Sequence, residues 1–208
     1  MAEERLVEKW RPKSLDEIIG QPKAIRLVKR NVKNGLRAHL LFWGPIGVGK
    51  TSVAKCLPKE KPLAEELEKS APVGGDFVPK NGRELDRDKT REISRAAKSA
   101  GRRIYFIDEA DGMRKDIQQI LRTTLELVTE TTFIFSCNDL SDIAEGINSR
   151  CSPIPFKKLE DEHIMEIILR VCKGEGWDVS SKEAKKALES LAKHADGDGR
   201  KALNILEL

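Results

Sequence analysis

The chain has 208 residues, 39% apolar and 35% charged, with 15 glycines and 9 prolines. That provides for one large core or two small ones and excludes collagen-like and low-complexity classes. The 38 Lys and Arg against 34 Asp and Glu leave a formal charge of +4, a small excess that permits polyanionic partners without requiring them.

The first twelve residues are charged and lack the apolar stretch of a secretory leader, and no apolar run approaches the roughly 20 residues that cross a bilayer. An intracellular location, cytoplasmic or nuclear, with no membrane partner, is expected. Cys56, Cys137, Cys151 and Cys172 are too dispersed for CxxC metal spacing or a disulfide framework and read as reduced and packed. Arg26, Lys29, Arg30 and Lys33 share a helical face, which reads as a solvated surface.

Leu40 to Trp43 is a short apolar strand running into Gly44-Pro45-Ile46-Gly47-Val48-Gly49-Lys50-Thr51-Ser52, a G-x-x-x-x-G-K-[ST] match before a helix. Glycines let successive backbone N–H groups turn toward phosphate oxygens, the helix N-terminus favours negative charge, Lys50 reaches the β/γ oxygens and Thr51 offers a hydroxyl to Mg²⁺. Pro58 predicts that this helix ends early or kinks. Lys69 to Gly82, with Pro72, Gly74, Gly75 and Pro79, reads as a loop or edge strand.

Arg91, Arg95 and Lys98 fall at i, i+4 and i+7, with Arg102 and Arg103 just beyond, and form a basic stripe. A stripe of this kind, taken alone, is more often a solvated face. Ile104 to Ile107 is a second strand that delivers Asp108 and Glu109. Behind a phosphate loop, this pair has the form of a Walker B motif: Asp108 for the metal, Glu109 to polarise the attacking water. Arg114 and Lys115 open the following helix, where backbone N–H groups also meet phosphates.

Thr132 to Ser136 is a third strand, ending near Asn138. Strands alternating with helical spacing imply an α/β parallel sheet covered by helices. After Pro155 three helical patterns follow, Leu159 to Cys172, Ser181 to His194 and Arg200 to Leu206, with capping-box spacing at Ser180 and Glu183 and punctuation by Gly197 and Gly199. Two domains are expected, residues 1–156 and 157–208.

Val7-Glu8-Lys9-Trp10-Arg11-Pro12, Ile19-Gly20-Gln21, the phosphate loop, Asp108-Glu109-Ala110-Asp111, Ser136-Cys137-Asn138, Ser149-Arg150-Cys151 and Gly197-Asp198-Gly199-Arg200 occur in order along nearly the whole chain. Together they resemble the small subunit of replication factor C, an AAA+ clamp-loader ATPase. The resemblance implies a RecA-like sheet followed by an all-helical lid, with ATP and Mg²⁺ at their junction. It assigns Asn138 to sensor 1, Arg150 to an arginine finger offered to a neighbouring subunit, and Arg200 to sensor 2. The segment with Trp10, Arg11, Pro12 and Ile19 would border the adenine. Without the family these would be a turn Asn, a surface Arg, a helix-terminal charge and, for Trp10, a core anchor.

The resemblance also places Arg91, Arg95, Lys98, Arg114 and Lys115 along duplex DNA, and implies a sliding clamp, primer-template DNA and other clamp-loader subunits as partners. Ile46 and Val48 stand where the family usually has Pro and Thr, outside the backbone cradle, so nucleotide binding is expected to survive. Asn81-Gly82-Arg83-Glu84 is only a loose echo of the family's Asn-Ala-Ser-Asp phrase. The family continues past the position of Leu208 into a collar domain, whose lack would weaken assembly. Rival readings are a catalytically silent nucleotide-binding interaction module and another AAA+ DNA motor such as a branch-migration helicase. The Ser-Arg-Cys and Val-Glu-Lys-Trp-Arg-Pro phrases argue against the second.

Overall fold

A computed structural model describes residues 4–70, 77–99 and 101–208. Its centre is a 5-stranded sheet in the order β2-β3-β4-β1-β5. The strands are β1 (His39–Trp43), β2 (Phe77–Asn81), β3 (Arg103–Asp108), β4 (Thr131–Cys137) and β5 (Cys151–Pro155), and every pairing is parallel. The three expected strands are the central ones. Their near-continuous apolar runs fit strands covered on both sides, and every residue of β4 is buried.

Alternation along these strands divides the core in two. Leu40, Phe42, Ile104, Phe106 and Ile134 face α2 (Pro22–Lys33), α3 (Lys50–Cys56) and α4 (Leu63–Ser70). Leu41, Tyr105, Ile107, Phe133 and Phe135 face α5 (Arg87–Ala97), α6 (Lys115–Leu127) and α7 (Glu145–Asn148). The two strands without a clear sequence signature lie at the edges. Pro79 in β2 and Pro153 and Pro155 in β5 lack a ladder donor, which confines such strands to edges and weakens their signature.

Helix α3 stops at Cys56 and continues as a 3₁₀ turn, Leu57–Lys59, because Pro58 cannot extend an α ladder. In the stretch expected as loop or edge strand, α4 runs to Ser70 and β2 is the edge strand, while Pro72, Gly74 and Gly75 lie outside the described residues. Beyond β5, α8 (Asp161–Glu175), α9 (Lys182–Ala195) and α10 (Gly199–Leu206) pack around Ile164, Ile168, Leu188, Ala192 and Ala202. Here the cap reading requires correction. Ser181, not Ser180, accepts from the Ala184 N–H at 3.1 Å, whereas Ser180 donates its own N–H to Asp178. The short N-terminal α1 (Leu6–Lys9) rests on α10, with the Leu6 N–H donating to Glu207 at 2.9 Å. All four cysteines are reduced and buried, and burial pushes the Cys137 and Cys151 thiols up to about 12.

His39 begins β1 with its Nδ1 accepting the Phe133 N–H at 3.1 Å. Its Nε2 therefore carries the proton and donates toward the Leu125 carbonyl at 3.4 Å. Burial holds its pKa below the ordinary histidine value of 6.5. The unfolded chain then binds this proton more readily, so stability present above about pH 6.5 is lost as pH falls toward the folded-state pKa. Thermal melts at pH 8 and pH 5.5 should show a lower Tm at the acidic value, and the acid loss should be smaller in His39→Asn than in the unchanged chain. Equal acid losses in the two would remove His39 from this balance.

Candidate functional site

The site forms because a parallel sheet brings the C-terminal ends of its strands to one edge. There β1 runs into the phosphate loop, β3 delivers Asp108 and Glu109, and β4 delivers Asn138. The loop's glycines adopt positive φ, 140° at Gly44, 72° at Gly47 and 101° at Gly49, conformations that L side chains avoid. Helix α3 begins at Lys50, so its unpaired N–H groups face the cavity.

Lys50 Nζ folds back on the loop, donating to the carbonyls of Gly44 at 2.6 Å and Pro45 at 2.7 Å and to Asn138 Oδ1 at 3.2 Å. Burial lowers its pKa, and the neighbouring carboxylates of Asp108 and Asp111 oppose that fall. Thr51 Oγ1 donates to Asp108 Oδ2 at 2.8 Å, and Ser136 Oγ donates to Asp108 Oδ1. A hydroxyl and a carboxylate are hard oxygen donors of the kind Mg²⁺ accepts while keeping several waters.

Glu109 sits in the left-handed region, φ 51°, with its N–H on Ser136 Oγ at 3.2 Å and its carboxylate paired with Arg83 Nε at 2.9 Å. The Asn138 N–H is held by Asp111 Oδ2 at 2.9 Å, while Asp111 Oδ1 is buried with no hydrogen-bond partner among the described residues.

The helical layer closes the cavity. Gly199 N–H donates to the Gly47 carbonyl at 3.1 Å, and Arg200 lines the same space. Buried Gln21 joins three segments: its Nε2 donates to the carbonyls of Lys157 at 2.6 Å and Val48 at 3.3 Å, and its Oε1 accepts the Lys157 N–H at 3.1 Å. The cavity has a volume of about 290 Å³, at the small end of ligand-sized sites.

Of the expected site residues, Trp10, Arg11, Pro12, Ile19, Ile46, Gly47, Val48, Gly49, Lys50, Thr51, Ser52, Asp108, Glu109, Asn138 and Arg200 are brought together on this cavity. Gly44 and Pro45 lie behind it and hold Lys50. Trp10 is both wall and anchor: it lies tight against Gly174, and its Nε1 donates to Glu175 at 2.5 Å. Arg150 lies elsewhere. It donates to the Gly146 carbonyl at 2.7 Å and pairs with Glu126.

Arg91, Arg95, Lys98, Arg114 and Lys115 are exposed on α5, α6 and their ends. Arg102 and Arg103 are not part of that face. Arg102 is buried, donating to the Gly35, Leu36 and Glu130 carbonyls, and Arg103 donates to the Ala96 carbonyl at 2.6 Å. Bare backbone carbonyls at the loop after α2 and at the end of α5 draw these guanidinium groups inward. Arg83 and Arg170 also line the cavity, and sequence reasoning misses both. Arg83 follows the Asn81-Gly82 echo, and Arg170 has only helical phase as its signal.

The family model described as "ATPase family associated with various cellular activities (AAA)" matches residues 40–159. The chain is 37% identical over 207 residues to a Replication factor C small subunit of Picrophilus torridus, covering 96% of this chain and 62% of that relative. It is 37% identical over 204 residues to one of Archaeoglobus fulgidus, covering 97% and 62%. The chain thus spans about three fifths of the relatives it matches. A solved structure described as the Thermotoga maritima RuvB Holliday junction branch migration motor superposes with a TM-score of 0.76 at 23% identity, over 94% of this chain and 63% of that one. At that identity the likeness speaks for the fold alone.

A methyl group at Gly47 would stand 1.7 Å from Asp198 Oδ1, which caps α10, whereas one at Gly49 would meet nothing within 4 Å. Gly47→Ala is therefore expected to lose more stability than Gly49→Ala, which has only the backbone strain of roughly 1 to 3 kcal/mol. Denaturant melts of both variants check this, and equal losses would mean that Asp198 moves aside freely.

Proposed function

We propose, for a chain that belongs to the AAA family of ATPases, that residues 1–156 are a nucleotide-binding unit and 157–208 its lid, and that together they hydrolyse ATP within a DNA clamp loader. The observation that carries this reading is the convergence of Lys50, Thr51, Asp108, Glu109, Asn138 and Arg200 on one cavity at the sheet's C-terminal edge.

The residues present fit ATP and Mg²⁺. The loop and the start of α3 offer backbone N–H groups to phosphate oxygens, and Lys50 exchanges its loop carbonyls for the β/γ oxygens. Thr51 and Asp108 would hold Mg²⁺, and when bound it would supply positive charge against the phosphate oxygens. Glu109 accepts a hydrogen bond from the attacking water once its carboxylate leaves Arg83, and Asn138 orients that water. Arg200 connects lid position to the nucleotide, and the Gly199 to Gly47 hydrogen bond transmits lid motion to the loop.

Arg150, remote from this cavity, serves a neighbouring subunit. Fingers of this kind contribute about 10³ to 10⁵ in rate, roughly 4 to 7 kcal/mol of barrier. A second reading, a module that binds nucleotide without turning it over, draws on the same structure: Glu109 is engaged by Arg83 and Arg150 by Glu126. The archaeal relatives support the clamp-loader assignment, in which Arg91, Arg95, Lys98, Arg114 and Lys115 follow the phosphates of primer-template DNA while a sliding clamp is loaded.

Four measurements test these proposals. Lys50→Ala should abolish binding of ATP by calorimetry, and retained tight binding would remove the site assignment. Glu109→Gln should keep ATP affinity while turnover falls by about 10² to 10⁴. Specific activity should rise with protein concentration, and Arg150→Ala should abolish that rise. Zero turnover at all concentrations would favour the silent module. For DNA, Arg91→Glu with Arg95→Glu should weaken duplex binding and flatten its log-log salt dependence by about 0.9 for each phosphate no longer neutralised. An unchanged slope would place DNA elsewhere.

A further inference from the structure

Helix α2 carries five cations, Lys23, Arg26, Lys29, Arg30 and Lys33, and no acid among its 12 residues. Its buried side, Ala24, Val28 and Val32, is sunk in the core under Leu40 and Phe42. The 3.6-residue period turns the cations away from that side, and Arg37 lies just past the helix end. Among the described residues only Lys29 of these six has a carboxylate partner, Asp16.

Arg26 with Lys29 and Arg30, and Lys33 with Lys29 and Arg30, are like-charge pairs at i, i+3 or i, i+4, which destabilise a helix. No acid of the helix relieves them. Other helices mix the two signs: Arg91 faces Asp88, Arg87 and Arg114 share Asp116, and Arg122 and Arg150 share Glu126, although Arg95, Lys98 and Lys115 have no carboxylate partner among the described residues. What sets α2 apart is five cations on one helix with no acid among them.

We infer that the outer face of α2 is a second binding surface for the phosphate backbone of nucleic acid, separate from the basic stripe of α5 and α6. The two lie on opposite faces of the sheet, since α2 packs on the side of Leu40 and Phe106 and α5 and α6 on the side of Leu41 and Ile107. One straight duplex lying along α5 and α6 does not reach α2.

The chemistry of the face decides the class of partner. A membrane-surface helix needs a free apolar side, and that of α2 is consumed by the core. A protein interface needs apolar anchors at its centre, and the face offers Leu27 alone. With no exposed aromatic ring among its residues to stack on bases, α2 recognises charge and not sequence. A polyphosphate strand, which gains affinity by releasing counterions, asks for nothing else.

The test uses the full chain with a fluorescently labelled 20-base-pair duplex, read by anisotropy across a salt series. Arg26→Gln/Arg30→Gln/Lys33→Gln should raise Kd, flatten the log-log salt slope by roughly 2 to 3, at about 0.9 per neutralised phosphate, and raise Tm by relieving the repulsion. The loss should multiply with that of Arg91→Gln/Arg95→Gln, as two separate surfaces require. Should the triple variant misfold, Arg26→Gln and Arg30→Gln singly should each lower the slope by about 0.9. Unchanged Kd and slope in folded variants would overturn the inference, as would absence of duplex binding by the unchanged chain. Competition by poly-glutamate as effective as unlabelled DNA would overturn the nucleic-acid assignment and make α2 a surface for acidic protein.

Discussion

A parallel sheet covered on both faces has one place where polar side chains can emerge from its centre, the ends of its strands. In this chain that constraint produces the site. β1, β3 and β4 lie side by side in the register Leu40 with Ile134 and Phe106 with Ile134, so their last residues open on the same edge. Each strand has a mainly apolar centre and gives way at that edge to the residues of the site: Gly44 after Trp43, Asp108 after Ile107, Asn138 after Cys137. The glycine-rich loop, the Asp108 carboxylate and the Asn138 amide therefore meet without any long-range device beyond strand pairing.

The helical layer meets that edge at Gly47, where the room a side chain would need is taken by Asp198 and the carbonyl accepts the Gly199 N–H. Close contacts flank this junction, Gly44 against the Phe156 carbonyl on one side and Gly197 against Lys158 and the Leu159 carbonyl on the other. Such contacts leave no compliance for a side chain but permit hinge rotation at positive φ. Gln21 adds a polar joint, buried and with all its amide hydrogen bonds directed at backbone of the phosphate loop and of the connection into α8. Breaking it would leave the buried Val48 carbonyl unpaired, at about 1 to 3 kcal/mol, so the loop and the connection into α8 are held in a defined relation.

What can be read from residues alone follows the same physics. Central strands announce themselves by continuous apolar runs, and the phosphate loop by glycine spacing, so both are legible. Edge strands β2 and β5 are half-exposed and proline-bearing, and nothing local distinguishes them from turns. Ser180 and Ser181 are adjacent, and only the direction of the Ala184 N–H selects between them. Arg102 has the same sequence character as Arg91. It turns inward because the carbonyls of Gly35, Leu36 and Glu130, remote in sequence, converge on its position. Arg83 becomes part of the site only through the fold, which sets the 3₁₀ turn after β2 beside the one after β3. The charge on α2 is visible as periodicity, but not that, among the described residues, Lys29 alone of its cations meets a carboxylate.

Magnitudes separate the ion pairs that hold the fold from those that can be exchanged. Arg102 is buried on three carbonyls, and removing it would expose all of them at once to an apolar interior. Glu109 with Arg83 is different: the two side chains are 46% and 66% exposed, and a pair in that setting is worth about 0 to 1 kcal/mol. Arg150 with Glu126, at 32% and 39%, falls nearer that end than the interior. Either pair can therefore be exchanged at little cost, which is what the roles proposed for Glu109 and Arg150 require. Glu109 and Arg150 are thus held by their weakest class of contact, while the loop between β1 and α3 is packed tightly at Gly44 and Gly47. The exchangeable contacts therefore lie on part-exposed side chains, where displacing a partner costs least.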